Sequence, residues 1–457
     1  MNLFSNRIFL CLLLAASALR AQSAAPDTLA DSTLMANPAM EIRGLERDQK
    51  SALSPVRATL NGIFWLPRVT IETLISTAGV GAVLIDENRI VQKFGNIFLF
   101  NKRRMGWFPI LNAVTGFPRG YGLRIFYRDR YHRASLRAAY ADEEIWGVRM
   151  KAGTTFFRHN HIWMLNSVIR LETYDRYRYF GLGKDPQNDP RNHFLSNAPA
   201  DYGLFQQHHI MAEFSLGIRP SPDWQAFFKT YYIFRDLGNP SDTYPENLVN
   251  VFEAGSLPGV GATNSQIYPE LSLEIDTREE LQLATGGFRG VFYSGLAFDS
   301  DGGGRDLVRA GADISLFKAI LHNNRFVIPR LIFDMVEPLG SGPPIAITDF
   351  PRHQSFRGVD RKALLRSDRY MVTSSLEYQW PLTPILQGQL FYDRVGVARQ
   401  LTDFDWRESP WAVGLGLAFQ TRYAEIARAY LSYGSEGIYA KLAVGWSSRY
   451  RDRGDWH

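Results

Sequence analysis

Tyr121–Asp129 reads YGLRIFYRD, and its alternation decides the fold. Tyr121, Leu123, Ile125 and Tyr127 fall on one face of an extended strand, with Gly122, Arg124 and Arg128 on the other and Phe126 as the exception. The pattern recurs. IWGVRMKAG (Ile145–Gly153) sets Trp146, Val148 and Met150 against Gly147, Arg149 and Lys151. LSLEIDT (Leu271–Thr277) opposes Leu271, Leu273 and Ile275 to Ser272, Glu274 and Asp276. IYAKLAVGW (Ile438–Trp446) opposes Ile438, Ala440, Leu442, Val444 and Trp446 to Lys441 and Gly445. Each strand has one apolar face and one that is charged or small. Long, aromatic strands of this kind fit a cylinder with lipid outside and a wet lumen inside. Alternation alone also fits a soluble sandwich that buries its apolar faces together.

Bulk composition favours the cylinder. The chain has 457 residues, 45% hydrophobic, with 30 Phe, 21 Tyr and 10 Trp. Its mean hydropathy of −0.20 is too polar for a bundle of membrane helices. The most apolar internal run, Thr73–Ile85, has 13 residues, short of the roughly 20 that a spanning helix needs. A membrane location therefore requires a closed all-β barrel, the one other architecture that satisfies its backbone in lipid. The net charge of +5 is mild. It reads as scattered lumen and loop arginines, so no nucleic-acid partner is expected.

The N-terminus sets the compartment. Met1–Ala21, MNLFSNRIFLCLLLAASALRA, has Arg7 in a basic start, an apolar run from Ile8 to Ala16 and small residues before a cut after Ala21. It reads as a cleaved signal peptide. Cys11, the single cysteine, leaves with it, so the mature chain has neither a disulfide nor a thiolate metal site. This fits export into the envelope of a diderm bacterium, and the barrel reading places the chain in the outer membrane. Residues 22–54 read as a disordered periplasmic lead. Residues 55–93 read as a short helical, periplasmic or interfacial segment with an apolar stripe at Ile63, Leu66, Val69, Ile71 and Leu74. The barrel is expected over 94–447 and a tail over 448–457.

Within 94–447 the period-two reading gives about sixteen strands, an even number suited to such barrels. Loop lengths sort independently. Phe180–Asp201, Gly238–Ser265, Glu337–Asp368 and Val397–Ser409 follow odd-numbered strands, whereas even-numbered strands end in short turns such as RPSPD (Arg219–Asp223). Long connections on one side and short ones on the other mark external and periplasmic ends. Thr277–Gly287 is a middling exception.

The third of these long loops contains FRGVD, Phe356–Asp360, among many cations. Here the chain resembles the BamA/TamA superfamily, whose Arg-Gly-aromatic loop tip folds back into a sixteen-stranded barrel. Arg357 and Gly358 match the pair, and Val359 stands in the aromatic place. YRYFGLGKDP (Tyr177–Pro186), with Gly181 and Gly183, resembles the family's aromatic-Gly-x-Gly element. EIDTREELQLATGGFRG (Glu274–Gly290), with Asp276, Arg278 and Gly287, resembles its Asp-Thr-Arg turn, without the usual Pro. LEYQWPL (Leu376–Leu382), with Tyr378 and Pro381, is followed by QLFYDRVGVA (Gln389–Ala398), with Asp393 and Gly396. Together they resemble the family's Glu-Tyr-Arg-x-Pro and Phe-x-Asp-x-Gly pair, with Gln379 in place of Arg and one extra residue before Gly396.

Strand alternation places Asp393 with Gln387, Gln389 and Phe391 on the lumen side, and Glu377 with Ser375 and Gln379 on the lumen side of the preceding strand. An infolded Arg357 would meet both carboxylates with a bidentate fork, and Gly358 would permit a tight turn beside it.

The resemblance implies protein insertion or secretion, or lipid transport, through a barrel whose first strand, near Trp107–Ala113, meets the last, Gly437–Trp446, in a weak seam. It also implies tandem periplasmic POTRA domains. Residues 22–93 are too short for one such domain plus the lead, so a POTRA-less barrel is expected. Its partners would be outer-membrane lipid, an unfolded protein or lipid client, and a separate periplasmic protein. A passive diffusion pore is the alternative. An outer-membrane enzyme is less favoured: no Gly-x-Ser-x-Gly elbow occurs, and the adjacent His208 and His209 fall on opposite strand faces. No catalytic residue, metal or cofactor is assigned.

Overall fold

A computed structural model describes residues 98–101, 104–112 and 120–444, apart from 143–144, 241–243, 254, 262, 279–285, 321, 352–355, 360–362, 365, 384–385 and 422–423. The expected signal peptide (1–21), lead (22–54), helical segment (55–93) and tail (448–457) lie outside the described residues. The chain divides into two compact units, Met1–Arg103 and Arg104–His457. The described part of the first contains the two-residue strand Leu99–Phe100.

Among the described residues the second unit is a sheet of sixteen antiparallel strands, with a further two-residue strand, Ala363–Leu364, between the eleventh and the twelfth. They are β1 (Met105–Asn112), β2 (Gly120–Arg128), β3 (His132–Asp142) and β4 (Ile145–Arg158). Next come β5 (His161–Tyr179), β6 (Gly203–Ser221), β7 (Trp224–Gly238) and β8 (Thr263–Asp276). After these run β9 (Gly287–Asp299), β10 (Leu307–Ile320), β11 (His322–Pro338) and β12 (Tyr370–Thr383). The last four are β13 (Leu386–Ala398), β14 (Trp411–Thr421), β15 (Ala424–Gly434) and β16 (Gly437–Val444). Every expected strand is present, and the first of the sixteen begins at Met105. Each strand pairs antiparallel with the next from β1 to β16, with register shifts in several pairs such as Tyr174/Tyr177 and Pro381/Thr383, and among the described residues no paired register joins β16 back to β1. Among the described residues the sheet is open at that seam.

The two faces follow the sequence period. Tyr121, Leu271 and Ile438 on the outer face are 78%, 67% and 71% exposed. Their sequence neighbours on the inner face include Ser272, which is buried. A face of Leu, Ile, Tyr and Phe left open to the surroundings suits hydrocarbon rather than water. The long connections follow β5, β7, β11 and β13, all on one side of the sheet. The other side has tight turns. His159 and Asn160 between β4 and β5 both have positive φ, 51° and 62°, the conformation whose twist matches a two-residue hairpin.

Inner-face packing uses rings laid over glycines. Tyr293 of β9 stands directly across from Gly311 of β10. A Cβ at Gly311 would meet the Tyr293 ring at 2.5 Å and the Phe333 carbonyl oxygen at 2.5 Å. Phe391 of β13 stands across from Gly414 of β14 in the same way. These rings cover the gap a glycine leaves in a sheet. We predict that Gly311→Val overpacks the wall and destabilises the folded sheet by about 1–3 kcal/mol. The loss is measured as a lower midpoint of the heat-dependent gel-mobility shift, with Gly238→Ala, where a Cβ would meet nothing within 4 Å, as the control.

Candidate functional site

The loop between β11 and β12, residues 339–369, turns inward and is fastened at three places. The first is Asp349. It accepts from Arg235 Nη1 of β7, and from Asn264 Nδ2 at 2.9 Å and Gln266 Nε2 at 3.0 Å, both of β8. Ile345, Ala346, Ile347 and Phe350 around it are buried. Phe350 and Ile345 join the inward-facing cluster of Met211, Tyr231 and Tyr268.

Arg357 is the second fastening. Its Nε donates to Asp393 Oδ2 at 2.6 Å and its Nη2 to Asp393 Oδ1 at 2.6 Å, a bidentate fork. Nη1 donates to Glu377 Oε2 at 2.6 Å, and Nη2 also reaches Ser375 Oγ at 3.1 Å. The Arg357 backbone N–H donates to Asp393 Oδ2 at 3.2 Å, and Ser432 Oγ of β15 donates to the Arg357 carbonyl at 2.9 Å. The guanidinium stacks on Phe391, its Cζ 3.5 Å from the ring centroid. Arg357 is 5% exposed, and Glu377 and Asp393 are 0%. One cation between two carboxylates leaves a negative excess, which the Ser375 hydroxyl on Asp393 and the Gln379 amide on Glu377 help to offset. Gln379 thus supplies one donor to the Glu377 carboxylate.

Gly358 is required for a different reason from the one the sequence suggested. Its φ is not in the left-handed region, and a Cβ there would lie 2.6 Å from the Ala412 Cβ of β14 and 2.8 Å from the Phe356 ring. Close approach to the wall, not a tight turn, demands the glycine. Val359 packs partly buried against Phe356, Met371, Val395 and Ala412.

The third fastening joins the loop to the end of β5. Ala363 and Leu364 pair in parallel with Arg178 and Tyr179, Leu182 bridges Ser367, and the Gly183 N–H donates to the Ser367 carbonyl at 2.9 Å. Gly181 and Gly183 both have positive φ, 98° and 89°, which side chains resist. Asn192 and Asp189 lie so close that a Cβ would also collide. Arg191 forks onto Asp189, at 2.9 Å from Oδ1 and 2.6 Å from Oδ2, and onto Asp368, at 3.1 Å from Oδ1 and 2.7 Å from Oδ2. Burial pushes the Asp189 carboxyl up, but the Arg191 fork and backbone N–H outweigh it and hold the group below the usual aspartate range.

The remaining motif residues are elsewhere. Arg278 forks onto Asp276 at 2.7 and 2.6 Å, and Gly287, at φ 116°, closes the same β8–β9 turn. Tyr378 stacks on Trp380, centroids 5.4 Å apart, on the outer face, and Pro381 beside a register shift is exposed. Gly396 lies under the β13–β14 loop, where a Cβ would be 2.8 Å from the Phe404 ring. Only Arg357, Gly358, Glu377 and Asp393 come together. The Asp349 and Arg191 fastenings were not foreseen. Each joins residues far apart in sequence, and nothing local in a polar loop singles them out.

Two outcomes test the fastenings. Arg357→Ala or Asp393→Ala should each cost about 3–5 kcal/mol, because the surviving partner stays buried and uncompensated. The double variant should cost well under the sum in a double-mutant cycle on thermal midpoints, and Arg357→Lys should recover little. For Asp189 the depressed folded value means that its contribution is present above the unfolded value of about 3.9 and lost as pH falls through the folded one. Protease resistance of the external loops should therefore hold from neutrality down to about pH 4 and fail only in stronger acid.

No family model matches the chain, and no curated protein matches its sequence. Among solved structures it is similar to BamA from Haemophilus ducreyi lacking POTRA domains 1–3, at a TM-score of 0.50 and 13% identity, over 72% of this chain and 67% of that one. A fainter likeness, at a TM-score of 0.42 and 12% identity, is to CdiB from Acinetobacter baumannii, over 70% of this chain and 55% of that one.

Proposed function

Because the chain has the barrel fold of BamA, we propose that it is an outer-membrane barrel that works in protein insertion or secretion, or in lipid transport, rather than as a passive diffusion pore. One observation carries this reading. The β11–β12 loop is fastened to β7 and β8 at one end, to β12, β13 and β15 through Arg357, and to the end of β5 beyond it. A segment tied to such separated strands obstructs the interior. An open diffusion pore has no use for so many buried, paired charges on one loop, since each is expensive to desolvate.

The β1–β16 seam, across which no paired register runs among the described residues, supports the same reading: a line of weak pairing in the wall is where a client strand could add. The role requires no catalysis. A separate periplasmic partner would engage residues 55–93.

Planar-bilayer recording separates the two readings. The intact protein should give low, flickering conductance, and deletion of Phe350–Asp368 should raise it several-fold. A stable, large conductance that the deletion leaves unchanged would establish the diffusion pore. Liposomes bearing the intact protein should also speed insertion of an unfolded barrel client over protein-free liposomes.

A further inference from the structure

The outer face of β10 to β13 is not uniform. Pro329 stands inside β11, a strand paired on both sides, where a residue without an N–H costs the ladder a bond. Pairing with β10 runs to Ser315 opposite Arg330 and resumes at Lys318 opposite Val327. Leu316 and Phe317, facing Pro329 and Ile328, are left out of it. On β12, Leu376 lies across from Pro329 and Ser374 across from Leu331. A proline and a serine among leucines leave a depression. It is a groove of about 300 Å³ whose apolar walls include Leu316, Leu331, Leu376 and Tyr392, all exposed.

Toward the external rim the groove ends on a cation. Ser374 lies directly across from Arg394 of β13, two positions beyond Tyr392 on the same face. The inner cations of this wall are matched: Arg309 forks onto Asp334 at 3.2 and 2.6 Å, and Arg330 onto Asp313 at 2.8 and 2.7 Å. Arg394 is not. Its Nη2 donates to the Arg407 carbonyl at 3.2 Å, its Nε has no partner, and among the described residues it makes no ion pair. Asp405 and Glu408 of the β13–β14 loop are engaged with Lys184, at 3.2 and 2.8 Å.

The aromatic side chains give the depth. Trp411, across from Arg394 on β14, meets Tyr433 edge to face at 6.0 Å, and Tyr370 meets Phe333 at 6.4 Å, near the external ends of their strands. Such rings mark the membrane–water interface. Arg394 therefore stands at headgroup depth. Leu376, one outward position along β12 from Ser374, is about 6.8 Å further into the hydrocarbon. A guanidinium with donors to spare, above an apolar groove, fits an amphiphile with an anionic head. Its fork matches phosphate oxygens, and the Ser374 hydroxyl adds a donor beside it.

We propose that Arg394 and Ser374 bind the phosphate of an external-leaflet lipid, one acyl chain of which lies in the groove over Pro329. This rests on reading the chain as an outer-membrane barrel, and it names a lipid that the outer wall takes up.

The test is native mass spectrometry of the full-length protein released from micelles doped with phosphatidic acid or with diacylglycerol of the same chains. Phosphatidic acid should be retained at least about tenfold better, the factor of one charge-assisted contact. R394Q keeps a donor for the Arg407 carbonyl but loses the charge. It should bring retention down to the diacylglycerol level with an unchanged heat-dependent gel shift. S374W, which fills the groove, should lower retention of both lipids, and S374L is read in its place if S374W does not fold. K318Q, which removes an outer-face cation at the periplasmic end of β10, should leave retention as it was. Equal retention of the two lipids overturns the proposal. So does a loss on K318Q as large as on R394Q, which would make the attraction general. Displacement by equimolar inorganic phosphate overturns it in favour of a soluble anion. A dimer that S374W breaks without changing lipid retention overturns it in favour of a second copy of this chain. The readout is lipid retention, so a protein that holds phosphatidic acid through Arg394 yet fails to speed client insertion loses the broader function and keeps the site.

Discussion

The guanidinium of Arg357, held between Asp393 and Glu377 and flat on Phe391, is the constraint on which the interior is organised. A cation 5% exposed is tolerable only where every donor is used. Here four strands contribute: β12 and β13 the carboxylates, β13 the ring, β14 the room for Gly358, and β15 the Ser432 hydroxyl on the arginine's own carbonyl. Phe391 can lie beneath the guanidinium because Gly414 opposite it leaves space for the ring. The loop tip and the wall are thus specified together, and a change at Gly414 or Ala412 reaches Arg357 without touching it.

Charge is handled differently on the two halves of the sheet. On β10 to β13 each inner cation has a carboxylate across the ladder or on the infolded loop, which makes that wall self-contained. On β2 to β5 arginines stand in register across the ladder, Arg124 with Arg137, Arg137 with Arg149 and Arg149 with Arg170, and each has other partners besides. Both arrangements satisfy the same strand period and the same apolar exterior. The difference lies in which residue types occupy the inner positions.

Much of the fold was legible because a half-buried strand writes its geometry into the chain at period two, as YGLRIFYRD, Phe126 excepted, and LSLEIDT do. The sorting of long and short connections added the direction. Asp393 and Glu377 could be aimed inward from alternation alone, and they meet Arg357. What stayed hidden depends on three-dimensional closure. Asp349 meets Arg235 across 114 residues, and Arg191 meets Asp368 across 177. In a polar loop each is one charged residue among many. Gly358 was noticed but given the wrong reason, because a missing Cβ looks the same in sequence whether a turn or a neighbouring wall excludes it.

The parallel pairing of Ala363 and Leu364 with Arg178 and Tyr179 has a consequence for the order of assembly. Hairpin ladders close over neighbouring segments, whereas this contact spans most of the interval between β5 and β12 and carries a correspondingly large closure entropy. It also requires the end of β5 to be in place first. The inward loop is therefore expected to dock after the surrounding strands have paired.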